Sequence, residues 1–306
     1  MRDTRTGVVV ITHNRRAELD RTLRLLRRLP EQPRVVVVDN ASGDGTAAAV
    51  RADHPWVDLV VATENLGAVA RNVGVERLDT PYVAFCDDDT WWEPGSLARA
   101  ADVLDAHDDV AVVTARIVVE PAGTEDPIVA ELRDSPVQGR SGLPGPALGS
   151  FHAGASVVRR EAFRSVGGFH PRLWLGGEEE LLAADLASQG WELCYLEELT
   201  VHHQASTLRD ERRRLRDGVR NTLWFTWLRR PLPAALRRTA AVLSDVRPGS
   251  PALAGVLAAL RGLPWVLRER RVLPPRTEQR FRVLESAQRR STARRYRLAP
   301  RPESSR

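Results

Sequence analysis

The chain has 306 residues, 42% apolar and 28% charged, with 45 basic and 40 acidic side chains and a formal net charge of +5. This composition excludes a disordered chain, a collagen and a disulfide-framed module, and the length suits one large domain with an appendage. No apolar run reaches the roughly 18 residues of a spanning helix, and the first residues lack the apolar stretch of a signal peptide, so a cytoplasmic protein is expected, with peripheral attachment to the inner face of the cell membrane left open.

In chain order, 8–11 is a β-branched run long enough for a buried strand. Residues 15–29 carry Leu19, Leu23 and Leu26 at helical spacing and stop before Pro30. A VVVV run predicts a strand over 34–39. A Ser-Gly-Asp-Gly turn opens a helix over 43–53, and 57–62 reads as a third strand. A helix over 67–78 and a strand over 82–86 follow, the strand running straight into Asp87, Asp88 and Asp89. A helix over 96–107 and a strand over 110–119 complete the series. Apolar strands alternating with helices predict an α/β fold, a mostly parallel sheet flanked by helices. Residues 120–150, rich in Pro, Gly and Ser, are expected to form a long loop. Beyond it come an apolar run at 155–158, helices near 160–166 and 178–189, and strands near 191–196 and 200–202. Cys86 and Cys194 are too few for a disulfide framework and read as buried, inert thiols.

The charge is divided along the chain, and every basic residue is arginine. Residues 1–206 hold 20 arginines and 32 acidic residues, net −12, whereas 207–306 hold 25 arginines and 8 acidic residues, net +17. The expected organisation is an α/β domain over 1–206, an arginine-rich helical extension over 207–298 and a disordered tail over 299–306. A basic extension suits an anionic partner, either membrane lipid or nucleic acid. Trp224, Phe225, Trp227 and Leu228 beside Arg229 and Arg230 resemble an interfacial helix. A helix packed on the first domain, with its arginines in solvent, has equal standing.

In open α/β sheets, ligands bind at the carboxyl ends of strands. Thr12, His13 and Asn14 end the first strand, Asp39 and Asn40 the second, and the aspartate triplet the fourth. Three adjacent carboxylates repel one another unless a cation neutralises them, and magnesium is usually held by one or two carboxylates together with substrate phosphates. Alternate members, Asp87 and Asp89, reach one side together. A solvated acidic turn is the plainer reading of such a triplet, and its position after a buried strand outweighs it. Trp91 and Trp92 suit stacking on the flat face of a ligand as well as packing of the next helix. Glu178, Glu179 and Glu180 open a helix after two glycines, where acids also complement the helix dipole. His202 and His203 follow a short strand, where a neutral imidazole can complete a metal site. Of the two, His202 is slightly preferred.

Taken together, VVVITHNRRAELDRTLRLL, VVVVDNASGDGT, TENLGAVARNVGVE, YVAFCDDDTWWEPGSL, FHAGASVVRREAFRSVGGF, GGEEELLAADLASQGW and VHH resemble the family 2 glycosyltransferases with the GT-A fold, rhamnosyltransferase-like bacterial members among them. The resemblance implies an inverting enzyme that moves a sugar from a nucleoside diphosphate sugar to an acceptor hydroxyl with Mg2+ or Mn2+. Its implied setting is cell-surface polysaccharide or glycolipid assembly, the acceptor being a glycan, a lipid-linked sugar or a small molecule. By the same resemblance, Thr12, Asn14 and Asp39 contact the nucleotide, and Asn65, Gly67, Arg71, Asn72 and Gly74 pack beneath the diphosphate and base. Asp87 and Asp89 bind the metal with a histidine, and Asp88, Trp91, Trp92 and Gly154 lie near donor or acceptor. The family usually has Glu-Asp where this chain has Glu178-Glu179. Counting back from Gly190 places Glu179 at the catalytic base and Glu178 at the neighbouring acceptor-binding acid. Glutamate is one methylene longer, so which of the two reaches the hydroxyl stays open. The rival is a binding protein that kept the fold without catalysis, its tail on nucleic acid or membrane. Intact Asp87, Asp89 and Glu179 speak against it, and nucleic acid is the less expected partner. The absence of G-x-G-x-x-G after the first strand disfavours a dinucleotide dehydrogenase.

Overall fold

The structure is a computed structural model that describes residues 3–204 and 210–288. The expected boundary at 206/207 and the expected disorder at 299–306 lie outside the described residues. The chain divides into two compact units, Met1–Arg209 and Asp210–Arg306.

The first half of unit 1 alternates strand and helix: β1 (Thr6–Thr12), α1 (Arg16–Arg27), β2 (Val35–Asp39), α2 (Thr46–Asp53), β3 (Asp58–Val61), α3 (Ala70–Arg77) and β4 (Tyr82–Asp87). These four strands are parallel, in the order β3-β2-β1-β4. The valines of β1 and β2 are fully buried because helices cover both sheet faces. Leu19, Leu23 and Leu26 form the buried stripe of α1. Gly74 lets α3 approach β1 closely, since a Cβ there would lie 2.3 Å from Val9 Cγ1.

The second half is mixed. It comprises β5 (Thr90–Trp92), α4 (Ser96–Ala106), β6 (Val110–Val119), β7 (Thr124–Glu125), α5 (Ile128–Arg133), β8 (Ser156–Arg159), α6 (Arg160–Ser165), α7 (Glu178–Ser188) and β9 (Glu192–His203). The sheet continues β4-β8-β6-β9-β5, with β7 paired to β6. β8 runs antiparallel to both β4 and β6, β6 and β9 are parallel, and β5 closes the edge antiparallel to β9. The expected loop over 120–150 thus contains a strand and a helix, both too short to show a period. The two strands expected near 191–202 are one, broken in register opposite Ala115 and Arg116.

Unit 2 is helical: α8 (Glu211–Arg229), α9 (Leu232–Ser244), α10 (Pro251–Arg261), α11 (Leu263–Arg268) and α12 (Pro275–Gln288). Here the structure corrects the interfacial reading of the aromatic run. Phe225 and Leu228 are buried, Phe225 packs 5.3 Å from Phe281, and Trp224 meets Trp265 edge-on at 5.1 Å. Arg230 is buried with Glu278 at 2.6 Å. Phe225, Leu228, Arg229 and Arg230 are interior to this unit, and Trp224 and Trp227 are half-buried against it. Among the described residues, no helix is long and apolar enough to cross a membrane.

Candidate active site

Parallel pairing brings the polar strand ends to one edge. Thr12 is in register with Asp39, and Asp87 with Ile11. Asp39 is fully buried; Oδ1 accepts the Ser42 N–H at 3.0 Å and Oδ2 has no hydrogen-bond partner. Asn14, at φ 53°, accepts the Gly43 N–H at 2.7 Å and so ties the first strand end to the second. Asn40 holds the next loop, accepting from Leu66 N at 3.1 Å and donating to Gly67 O at 3.2 Å. In that loop Asn65 Oδ1 accepts the Gly67 N–H at 2.9 Å. A side chain at Gly67 would collide with Trp174, which itself donates to Asn65 O at 2.8 Å.

The triplet at the end of β4 splits three ways. Asp88 turns inward, against expectation. Its carboxylate accepts from Thr12 Oγ1 and Arg15 Nη1, both at 2.9 Å, and its carbonyl from Thr22 Oγ1 at 2.8 Å. Burial pushes its carboxyl up to about 7, outweighing Arg15, and the charges of Asp89 and Asp87 add to the rise. Asp88 is therefore a support for the strand end rather than a donor or acceptor contact, and Thr12 is committed to it. Asp89 lies 3.3 Å from Arg15 Nη1 and 3.7 Å from His203 Nε2. Asp87 accepts a short hydrogen bond from Arg71. That guanidinium is buried over the rings of Phe85 and Phe169, and its Nε and Nη1 have no hydrogen-bond partner.

Strand register decides between the histidines. β5 pairs Trp91 with His202 and Thr90 with His203. Successive side chains on a strand point to opposite faces. His202 therefore stacks on Trp91 at 5.5 Å and bonds Glu120 at 2.9 Å, while its neighbour faces Asp89. The structure places His203, not His202, beside the triplet, a choice that spacing alone could not make. Trp91 is taken up by His202 and by Arg21, 5.9 Å away. Trp92 is in the core with its Nε1 on Phe85 O at 3.3 Å, so its burial excludes the expected ligand contact. Asn72 is likewise redirected. Its amide donates to Phe169 O at 2.8 Å and accepts from Phe169 N at 2.9 Å, which pins the loop before α7 rather than a nucleotide.

The acid pair arrives from α7. Gly176 and Gly177, both at φ 85°, turn the chain so that Glu178 enters the interior. Burial pushes the Glu178 carboxyl up, Glu179 adds to the rise and Arg71 opposes it. Its Oε2 has no hydrogen-bond partner. Glu179 accepts the Ala153 N–H at 3.3 Å. The next residue, Gly154, lies against Asp87, since a Cβ there would be 2.8 Å from Oδ2. One backbone segment thus joins Glu179 to the acidic strand end. Sequence reasoning missed Arg15; a cation three residues past the first strand was its only signal.

Buried polar atoms without partners cost about 1–3 kcal/mol each unless a ligand completes them. Asp39, Arg71 and Glu178 carry such atoms here. Among the described residues no three His, Cys, Asp or Glu side chains form a ready-made metal cage. The donor chemistry nonetheless fits a hard divalent cation. Asp89 and His203 adjoin, and burial, with the neighbouring carboxylates adding to it, already favours a proton on Asp88. A cation that draws its remaining ligands from phosphate needs no more protein groups than these.

A sheet of this order, with acids at its carboxyl edge and a second acid pair facing them, defines a GT-A glycosyltransferase architecture. Solved structures agree on the fold. A mannosyltransferase from Pyrobaculum calidifontis, in complex with GDP-Man and Mn2+, aligns with TM-score 0.56 at 22% identity over 93% of this chain and 76% of that one. S. aureus TarS 1-349 aligns with TM-score 0.57 at 16% identity over 95% and 92%. Residues 7–167 match the model of Glycosyl transferase family 2, and the chain belongs to that family. Among curated relatives, an N-acetylglucosaminyl-diphospho-decaprenol L-rhamnosyltransferase of Mycobacterium tuberculosis is 27% identical over 281 residues, covering 78% of this chain and 91% of the relative. A pre-mycofactocin glycosyltransferase of the same organism is 30% identical over 74% of this chain and 47% of its own length.

Proposed function

We propose that this glycosyltransferase moves one sugar, with inversion, from a nucleoside diphosphate sugar to an acceptor hydroxyl. The observation that carries the reading is the path from Asp87 through Gly154 and Ala153 to Glu179, which sets an acid pair across one backbone segment from the acidic end of β4. On this reading Asp39 accepts a hydrogen bond from the nucleoside through Oδ2, and Arg71 and Asp87 form the floor of the donor site. Asp89 and His203, with Asp87 nearby, would hold Mg2+ or Mn2+. Such an ion, when bound, offsets the charge gathering on the diphosphate. Glu179 takes the proton of the acceptor hydroxyl as that oxygen attacks the anomeric carbon opposite the diphosphate. The bond to the diphosphate breaks in the same displacement, and no covalent enzyme intermediate forms. Glu178, kept protonated by burial, donates a hydrogen bond to the acceptor instead of removing a proton.

The rhamnosyltransferase relative, matched along most of its length, supports a hexosyl or deoxyhexosyl donor and a lipid-linked acceptor in cell-surface glycan assembly. A cytoplasmic enzyme held at the inner membrane face suits such an acceptor. Thermal denaturation with a panel of nucleoside diphosphates, with and without Mn2+, tests the donor site. One nucleotide should raise Tm in an Mn2+-dependent way, and its sugar conjugate should yield a product one sugar heavier by mass spectrometry. If no nucleoside diphosphate shifts Tm, the reading fails.

A further inference from the structure

In unit 2, α9 and α10 turn leucines to solvent. Leu232, Leu236 and Leu243 on α9 are 55%, 54% and 46% exposed, and Leu253, Leu257 and Leu260 on α10 are 37%, 48% and 59% exposed. At about 100° per residue, each set falls within an arc of about 60° or less. These are stripes rather than scattered single residues, and a helix ordinarily gives its leucine stripe to a core.

The same helices are nearly without acids. Residues 232–268 hold five arginines (Arg237, Arg238, Arg247, Arg261 and Arg268) and one acid, Asp245. Beside the α10 stripe lies a cleft of about 670 Å3 lined by Arg212, Arg213 and Arg216 of α8 and by Pro251 and Ala254 of α10. Ala254 sits about 60° around α10 from Leu257. The acids near the cleft are engaged. Asp210 caps α8 by accepting Arg213 N at 3.0 Å, and buried Asp217 meets Arg216 at 2.9 Å and Arg213 at 3.6 Å.

We infer that the leucine stripe of α10, with the exposed Arg212 and Arg261 beside it, docks on a bilayer rich in anionic phospholipid, the leucines at the acyl boundary and the arginines on lipid phosphates. A second copy of this chain is the other apolar occupant to consider. A two-fold contact through this face would set its arginines against themselves. The inference rests on the peripheral-membrane part of the reading above and on none of the residues placed at the active site.

Sedimentation of the full chain with phosphatidylglycerol or phosphatidylcholine vesicles tests it. The chain should sediment with the anionic vesicles alone, and salt should weaken the binding. Leu253→Glu with Leu257→Glu should raise the dissociation constant about tenfold or more. Arg212→Gln and Arg261→Gln should each raise it about fivefold. All variants should keep the wild-type Tm and its increase with nucleoside diphosphate. Should the leucine variant melt early, the two exposed arginine substitutions carry the test. No sedimentation with anionic vesicles, or equal binding by every variant, overturns the inference. So does a dimer by light scattering that the leucine variant dissolves, which would assign the face to a second copy. Wild-type chain that binds vesicles but is not stabilised by any nucleotide would overturn the catalytic reading and leave this one standing.

Discussion

Gly154 lies directly against Asp87: a Cβ at 154 would stand 2.8 Å from Asp87 Oδ2 and 3.1 Å from its Cγ. Gly154→Ala must therefore displace the carboxylate that Arg71 holds. Turnover should fall about tenfold or more, since small misplacements of reacting groups are costly. Thermal stability should change little, because the displaced group is the partly exposed end of Asp87. Wild-type turnover in steady-state kinetics would show that Asp87 is not positioned by this contact.

Glu178 and Glu179 should respond differently to the same substitution. Glu179→Gln is expected to slow transfer about 100-fold or more while leaving nucleotide affinity near normal. Gln resembles a protonated carboxyl, so Glu178→Gln replaces a group already kept protonated by burial and should cost less than about tenfold. Single-turnover rates for the two variants decide the matter. If the larger loss belongs to Glu178→Gln, the base lies one residue earlier.

The raised Glu178 carboxyl also predicts a pH dependence of stability. Its ordinary value is 4.5 and the folded value lies above it, so the native state holds the proton more tightly than the unfolded chain. The stabilisation is full below pH 4.5 and is lost as pH rises towards the folded value. Melting curves in chelator should therefore show Glu178→Gln gaining on wild type as pH increases through this window. Parallel curves for the two proteins would mean that Glu178 titrates normally.

His203→Ala should raise the Mn2+ concentration needed for half-maximal transfer, whereas His202→Ala should leave it unchanged and lower Tm through loss of the Trp91 stack and the Glu120 bond. Asp89→Ala should abolish transfer and Mn2+-dependent nucleotide binding. Titration of Mn2+ against rate distinguishes them, and an effect confined to His202 would falsify the register argument.

How much of this was legible in the chain can be followed residue by residue. The apolar runs of β1, β2 and β4 and the leucine stripe of α1 specify their elements locally, because burial on two faces or one leaves a period in the residue pattern. The order of those elements then restricts the sheet to parallel crossovers, with Thr12, Asp39 and Asp87 ending at one edge. Direction was not legible. Asp88 turns beneath the strand end because Thr12 and Arg15 reach it from β1 and the start of α1. Trp92 is internal and Trp91 is not, because β5 is paired to β9, and the same pairing separates His203 from His202. The aromatic run of α8 looked amphipathic and packs inward, because α11 and α12 supply Trp265 and Phe281 to cover it. Periodicity records that a face is apolar or polar. Which partner that face meets depends on pairing between segments far apart in the chain, and only the folded structure holds that information.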